Sequence, residues 1–371
     1  MILAKKVRLY PSQLQEQKLW QSVGTARFIY NWTIARQEEN YKNGGKFISN
    51  NDLRKEITQL KKSELIWLNK VSNNVAKQSV KDACESYMRF FKGLSDRPKF
   101  KSRRKSKKSF YNDNLKLKVK EGNLVNIEKV GWIKTNEQIP PNVKYSNPRI
   151  SYDNKYWYIS VGIEQEEIKE ELTDVSLGID LGLKDLAICS DSNIYKNINK
   201  TYIVRKIEKK LRRLQRQVSR KYENNKKGKE YVKTSNIIKL EKQIQQMHRR
   251  LANIRNNYLH QTTTNIVKAK PYRVVIEDLA VSNMMKNKHI SKAIAKQGFY
   301  EFRRQLEYKC KFRGIELVVA DRFYPSSKTC SQCGEIKKDL KLKDRLYNCK
   351  CGLSIDRDLN ASINLSNYKL A

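Results

Sequence analysis

The sequence predicts a multidomain chain, with a helical region and an antiparallel β region in its first half and an α/β domain in its second. Three observations carry that prediction. The chain has 371 residues, more than one core usually supports, so two or three domains are expected. Apolar residues recur with a period of two between 115 and 163. From residue 175 onward, short β-branched runs alternate with long helical patterns, as in an α/β layer.

Residues 1–10, MILAKKVRLY, read as a strand. A helix follows, with Leu14, Trp20, Val23, Phe28 and Trp32 near helical spacing and Pro11 just before its start. A second helical stretch over 71–92 carries Val71, Val75, Val80, Cys84, Met88 and Phe91 and stops at Gly93. The segments LKLKVK, NLVNIE, VGWIKT and PRISYDNKYWYISVGIE then form an antiparallel sheet or small barrel, with a hairpin turn at Asp153-Asn154-Lys155. Glu164 to Asp174 holds six acids in eleven residues and separates the two halves.

The second half opens with VSLGIDLGLKDLAICSD, read as strand, glycine-containing turn and strand. Two basic helices over 206–221 and 236–258 follow. In the second, Leu240, Ile244, Met247, Leu251, Ile254 and Tyr258 make one apolar stripe. Residues 272–281 are a buried strand ending in acids. A helix closed by Gly314, the strand IELVVA and a final helix over RDLNASINL complete the domain.

Charge narrows the function. With 77 Lys and Arg against 38 Asp and Glu, the net charge is +39, which calls for a polyanionic partner, most commonly a phosphate backbone. A membrane surface would need a polybasic segment beside an amphipathic or lipidated anchor, and neither is visible. With no run of 18 apolar residues and no apolar leader, a soluble intracellular protein is expected. The densest basic run, RPKFKSRRKSKK over 97–108, has eight cations and no acid. Phe100 and the Phe110-Tyr111 pair frame it, so Lys99, Lys101, Arg103, Arg104, Lys105, Lys107 and Lys108 are the candidate nucleic-acid contacts.

Seven cysteines without a secretory signal argue against a disulfide framework. Cys84, Cys189 and Cys310 stand alone in apolar segments as small core residues. Cys330 and Cys333, then Cys349 and Cys351, form two short knuckles, each followed by glycine, with fifteen residues between them. Four thiolates so paired suit a closed tetrahedral Zn²⁺ site, which is structural because no position stays open. The second knuckle is CxC, tighter than the first.

Three acids form the other constellation: Asp180 in LGIDLG, Glu277 in VVIEDL, and one of the two aspartates in IDRDLN. A charge at the end of an apolar strand is costly unless paired or bound to a cation. Clustered carboxylates are held ionised by divalent metals, as in two-metal sites for phosphoryl transfer. Asp356 can cap the final helix, which leaves Asp358 in its first turn.

VRLYPSQLQ, RFIYNW, FFKG, RPKFKSRRKSKKSF, GIDLGLKDLA, IRNNYLH, VVIEDLAVSNM, SSKTCSQCG and CGLSIDRDLNASINL, in this order along nearly the whole chain, resemble the TnpB family of transposon-encoded RNA-guided nucleases. The resemblance implies a RuvC-like, ribonuclease H-type nuclease domain over 171–371, with a basic helical hairpin at 206–258 and a zinc ribbon at 322–354. It also implies a wedge-like β-barrel from 1–10 and 111–170, interrupted by a helical recognition region at 11–110. Asp180, Glu277 and Asp358 would bind two catalytic Mg²⁺. A guide RNA from the transposon end and a double-stranded DNA target beside a short flanking motif are the implied partners, bound by a monomer in the prokaryotic cytoplasm. Some relatives lose nuclease acids and act as guided repressors, and an accessory role in transposition is a further alternative; the intact acids argue for the nuclease.

Overall fold

In the computed structural model, which describes residues 1–167, 170–228, 230–341 and 344–369, the chain forms two compact units, Met1–Gln165 and Glu166–Ala371. Ile168 and Lys169 of the acidic link lie outside the described residues.

The first unit contains β1 (Ile2–Tyr10), α1 (Gln13–Lys42), α2 (Asn50–Leu60), α3 (Asn73–Phe91), β2 (Lys108–Tyr111), β3 (Lys118–Lys120), β4 (Leu124–Ile127), β5 (Gly131–Thr135), β6 (Tyr145–Tyr152) and β7 (Trp157–Glu164). The strands form one seven-stranded sheet in the order β2-β6-β7-β1-β5-β4-β3. Its edges are β2 and β3, and no ladder among the described residues joins them into a closed barrel. The N-terminal strand is central because Val7 and Leu9 point into the core with Ile133, Ile159 and Val161. Pro11 lies just before α1, as expected, and Ser12 caps it: its hydroxyl accepts from the Gln15 amide and the Gln15 side chain accepts from the Ser12 amide, a reciprocal capping box. The α3 helix stops where expected, with Gly93 at a φ of +67° that glycine adopts without strain.

The second unit contains β8 (Thr173–Leu181), β9 (Asp185–Cys189), β10 (Ile194–Lys196), α4 (Tyr202–Asn224), β11 (Lys226–Lys227), β12 (Glu230–Tyr231), α5 (Ser235–Lys268), β13 (Pro271–Glu277), α6 (Val281–Met284), α7 (Ser291–Gln297), α8 (Phe299–Phe312), β14 (Glu316–Ala320), β15 (Leu346–Asn348), β16 (Ser354–Asp356) and α9 (Arg357–Ser366). Its main sheet runs β10-β9-β8-β13-β14, with β8 and β9 antiparallel and β13 parallel to both β8 and β14. That is the ribonuclease H-like arrangement. One face packs Leu177, Ile179, Val274 and Ile276 against Leu259 and Ile266 of α5 and Phe302 and Leu306 of α8. The other carries Val275, Val318 and Ala320 against Leu365 of α9. The basic hairpin of α4 and α5 buries Ile207, Leu211 and Leu251 along its seam, with Ile244, Met247 and Ile254 half-buried beside them. Cys84, Cys189 and Cys310 are buried, as small core residues should be. No helix among the described residues is long and apolar enough to cross a membrane.

Gly178 sets the closeness of α9 to the sheet. A Cβ at this position would lie 2.0 Å from the Ser362 carbonyl oxygen and 2.3 Å from the Ser366 amide nitrogen, both backbone atoms that cannot swing away. Gly178→Ala is therefore expected to cost about 3 kcal/mol or more through forced displacement of α9, measurable as a drop in the denaturant midpoint.

Candidate functional site

Strand parity and one close helix assemble the carboxylates. The register pairs Ile276 with Ile179 on parallel strands, so the next residues, Glu277 and Asp180, are neighbours on the face that α9 covers. Gly178 shares that face, beneath Ser362 and Ser366. The Ser176 hydroxyl donates to the Ser366 carbonyl at 2.7 Å, so α9 runs antiparallel to β8 with its N-terminus toward Asp180. Asp358, Ser362 and Ser366 are spaced i, i+4, i+8 and share one helix face. One helical turn advances about 5.4 Å and two strand residues about 6.6 Å, which sets Asp358 over Asp180.

Asp356 instead faces its own helix. Its Oδ1 accepts from the amides of Asp358 at 2.9 Å and Leu359 at 3.2 Å, an N-cap that fixes the orientation of the first turn. The two acids at the end of β13 also divide. Asp278 pairs with Arg303 and Arg322, whereas Glu277 accepts from the Ser326 hydroxyl at 3.0 Å and hydrogen-bonds Asp180.

The electrostatics are those of a crowded anionic cluster. Burial, then the charge of Glu277 and its hydrogen bond, then the charge of Asp358 hold the Asp180 carboxyl well above the ordinary carboxylate range, with Arg357 opposing. Burial also raises Glu277, against the hydrogen bonds it receives from Asp180 and Ser326. Both shifts run the same way: burial and like charge disfavour two ionised carboxylates here unless a cation is bound. The Arg357 guanidinium donates to Asp358 Oδ1 at 2.9 and 3.1 Å. All the donors are hard carboxylate oxygens, which suits Mg²⁺ or Mn²⁺ rather than a soft metal.

The four thiols are gathered more tightly: among the described residues they alone form a His, Cys, Asp or Glu group whose ligand atoms all lie within 4.8 Å of one another. Cys330 and Cys351 sulfurs are 3.6 Å apart and those of Cys333 and Cys349 3.5 Å. Tetrahedral zinc with bonds near 2.3 Å requires sulfurs about 3.8 Å apart, so the set fits one Zn²⁺. The tight CxC knuckle is accommodated by Gly352 at φ +93°, as the first is by Gly334 at +77°. Burial disfavours the Cys330 thiolate, but the amides of Cys333 and Gln332 outweigh it and bring Cys330 down to about 7. Beneath the knuckles, the buried Tyr347 donates to the Lys328 carbonyl at 3.0 Å.

The basic run lies in the first unit and divides. Lys99, Arg103, Arg104, Lys105 and Lys107 are exposed, while Lys101 and Lys108 are half-buried. The Lys101 ammonium sits 3.4 Å from the centre of the Tyr30 ring, its backbone held from both sides by the Asn31 amide at 2.7 and 2.9 Å. Lys101, Arg103, Lys107 and Lys108 line a cavity of about 160 Å³ together with Arg27 and Arg149. The carboxylate there, Asp82, is already paired by both nitrogens of Arg149. Of the flanking aromatics only Phe100 is free to stack; Phe110 is buried in the core through β2, and Tyr111 is half-buried.

Sequence reasoning missed Ser326 and Asn364 as organisers of the site; for Asn360 it left open a metal ligand or the backbone as the hydrogen-bond partner, and the partner is the backbone. Asn360 holds the peptide groups on both sides of Cys330, accepting from the Ser331 amide at 3.0 Å and donating to the Thr329 carbonyl at 2.7 Å. Their one sequence signal is position: Asn360 and Asn364 are i, i+4 on α9, and Ser326 lies just ahead of the first knuckle.

Residues 158–288 match the family described as "Probable transposase" (OrfB of IS605), residues 299–365 match the "Cas12f1-like, TNB domain" and residues 1–46 match the "Helix-turn-helix domain" of the same OrfB group. Over 1–46 this chain has a strand and one 30-residue helix rather than two helices joined by a turn. The chain is 32% identical to the "Putative RNA-guided DNA endonuclease InsQ" of Escherichia coli (strain K12), over 98% of this chain and 91% of that protein. A protein of Streptomyces pristinaespiralis with the same general description is 30% identical over 98% of this chain and 88% of its own length. The fold is shared with the Cas12f1 protein solved in complex with its sgRNA and target DNA, at a TM-score of 0.58 and 15% identity over 95% of this chain and 82% of that one. The chain belongs to the TnpB family of IS605-type transposons.

Proposed function

We propose that this protein is an RNA-guided DNA endonuclease encoded by a transposon. The observation that carries the reading is the pairing of Asp180 and Glu277 on one face of a ribonuclease H-like sheet, within reach of the charge of Asp358 on the helix that covers that face. It is supported by near full-length similarity to proteins described as RNA-guided DNA endonucleases. The guide, derived from the transposon end, reads target sequence by base pairing, while the protein reads backbone shape and a short flanking motif on double-stranded DNA. In this division the sheet of 1–10 and 111–170 and the helical region of 11–110 hold the RNA and the flanking motif, and 171–371 is the RuvC-type nuclease. The working form is a monomer with its RNA in the prokaryotic cytoplasm, at the nucleoid.

Two Mg²⁺ bound by Asp180, Glu277 and Asp358 would activate the attacking water and neutralise charge on the scissile phosphate. The residues themselves do the rest. Asp180 and Glu277, whose burial disfavours ionisation, would both be ionised as ligands. Asp356 holds the first turn of α9, and with it Asp358, in place. Cys330, Cys333, Cys349 and Cys351 bind one Zn²⁺ that folds the ribbon between the sheet and that helix. The test is cleavage of a guide-matched DNA by the purified protein–RNA complex: it should require Mg²⁺, RNA and the flanking motif. Cutting that persists without RNA would refute the reading.

The exposed cations of 97–108 act on phosphate. Replacing Arg103, Arg104, Lys105 and Lys107 together by alanine should weaken RNA binding and flatten its salt dependence by about 3 in log Kd per log salt, at about 0.7 for each single-strand phosphate that is no longer neutralised. Filter binding between 50 and 300 mM salt, taken as roughly the useful range, reads that slope directly.

A further inference from the structure

The loop between β14 and the first zinc knuckle touches both metal sites. At one end the Ser326 hydroxyl donates to Glu277 Oε1 at 3.0 Å. At the other end Cys330 offers its sulfur to the thiol cluster. Between them the loop is clamped to α9. Asn364 donates to the carbonyls of Ser326 and Thr329, each at 2.7 Å, and Asn360 grips Thr329 and Ser331. Asn360, Asn364 and Ser326 are all nearly solvent-free, and breaking such buried, satisfied hydrogen bonds strands polar groups. The same helix carries Asp358 in its first turn. Cys330, Ser326 and Asp358 are thus parts of one hydrogen-bonded body, and Glu277 is tied to it by a single hydroxyl.

We propose that Ser326 is a positioning residue for Glu277, and that the zinc knuckle, acting through the Asn360 and Asn364 clamp, sets the place of Ser326 and hence the affinity of the carboxylate site for divalent cations. This rests on the reading of Asp180, Glu277 and Asp358 as cation ligands. Without the hydroxyl the Glu277 carboxylate keeps only its contact with Asp180, itself a cation ligand in this reading, so its terminal torsion is held less firmly, and a ligand oxygen that must be reoriented binds a cation more weakly. The hydroxyl occupies one lone pair of Oε1 and leaves the remaining lone pairs of the carboxylate for a cation.

The test measures Mn²⁺ binding to the RNA-free full chain, counting only the component that Asp180→Ala abolishes. Ser326→Ala should keep one zinc per chain and bind Mn²⁺ about tenfold more weakly, the loss usual for a group that orients a metal ligand. Ser326→Thr and Ser326→Val have the same shape and differ in the hydroxyl, so the first should stay near wild type and the second should match Ser326→Ala. Asn360→Ala, which loosens the clamp and leaves the hydroxyl in place, should show a similar loss. Equal Mn²⁺ affinity in the Thr and Val substitutions would overturn the role of Ser326, and unchanged affinity in Asn360→Ala would overturn the link to the knuckle. Neither readout uses RNA or cleavage. A complex that fails to cut guided DNA would count against the proposed function alone, whereas unchanged Mn²⁺ binding in a complex that cuts would count against this inference alone.

Discussion

Asp180→Ala should lower guided DNA cleavage by at least ~10³-fold while leaving target binding by the protein–RNA complex intact, because under the proposed function it removes a cation ligand at the reacting phosphate and no contact to the duplex. The same residue yields a stability signature that needs no substrate. In the cation-free protein Asp180 keeps its proton above the ordinary carboxylate range, through burial and then the charge of Glu277. The folded state therefore binds a proton that the unfolded chain has released, and stability falls as pH rises from about 4 through the folded-state value. Asp180→Asn removes that penalty. In zinc-loaded protein dialysed free of Mg²⁺, this variant should melt above wild type at pH 7, and the difference should vanish below about pH 4, where the unfolded carboxyl is protonated too. Added Mg²⁺ should raise the wild-type melting temperature and leave Asp180→Asn nearly unmoved. Thermal scans across pH with and without cation check all three.

The second large effect is expected at the zinc ribbon. Cys330→Ser should release the zinc and unfold the segment around 322–354. Among the described residues of the ribbon, Tyr347 is the one large buried side chain, and structural zinc contributes on the order of 10 kcal/mol to such small elements. Limited proteolysis should cut the variant within this segment while the β8 to β14 sheet resists, and metal analysis should find less than one zinc per chain. Chelation of the native protein should reproduce the pattern. Cys84→Ser in the first unit should leave zinc content unchanged, since that thiol sits in a separate core with Ile29 and Val80.

Much of this site was legible in the sequence because its parts sit where regular structure is most predictable. Asp180 and Glu277 end apolar, β-branched strands, and the parallel register then makes them neighbours. The knuckles announce themselves by spacing. The choice of Asp358 over Asp356 rests mainly on the family pattern; the N-cap bonds of Asp356 and the antiparallel run of α9 over Gly178 support it.

The features that escaped share a physical cause. The α5 helix runs ten residues beyond the expected end at 258, because Thr262 and Thr263 interrupt the apolar pattern although both are buried, with Thr263 donating back to the Leu259 carbonyl. The α2 helix offers only Leu53 and Ile57 to the core, too sparse a stripe to stand out. LKLKVK was expected to be a strand throughout, yet only Lys118–Lys120 pairs and Leu115 is exposed. Phe110 reads as a stacking aromatic beside cations, but the period of β2 turns it inward. Ser326 and Asn364 act through hydrogen bonds to residues 49 and 38 positions away, which local pattern cannot register.

Whether bound RNA directs this carboxylate site to DNA is decided by exchanging the guide. The RNA that copurifies with the protein is sequenced, its target-pairing segment is replaced by a new one, and the complex is offered two plasmids that differ only in the sequence beside the flanking motif. The cut should move to the plasmid matching the new segment, in Mg²⁺ only, and should disappear in Asp180→Ala. A cut that stays at the original sequence, or appears in both plasmids regardless of the guide, would contradict guidance by RNA.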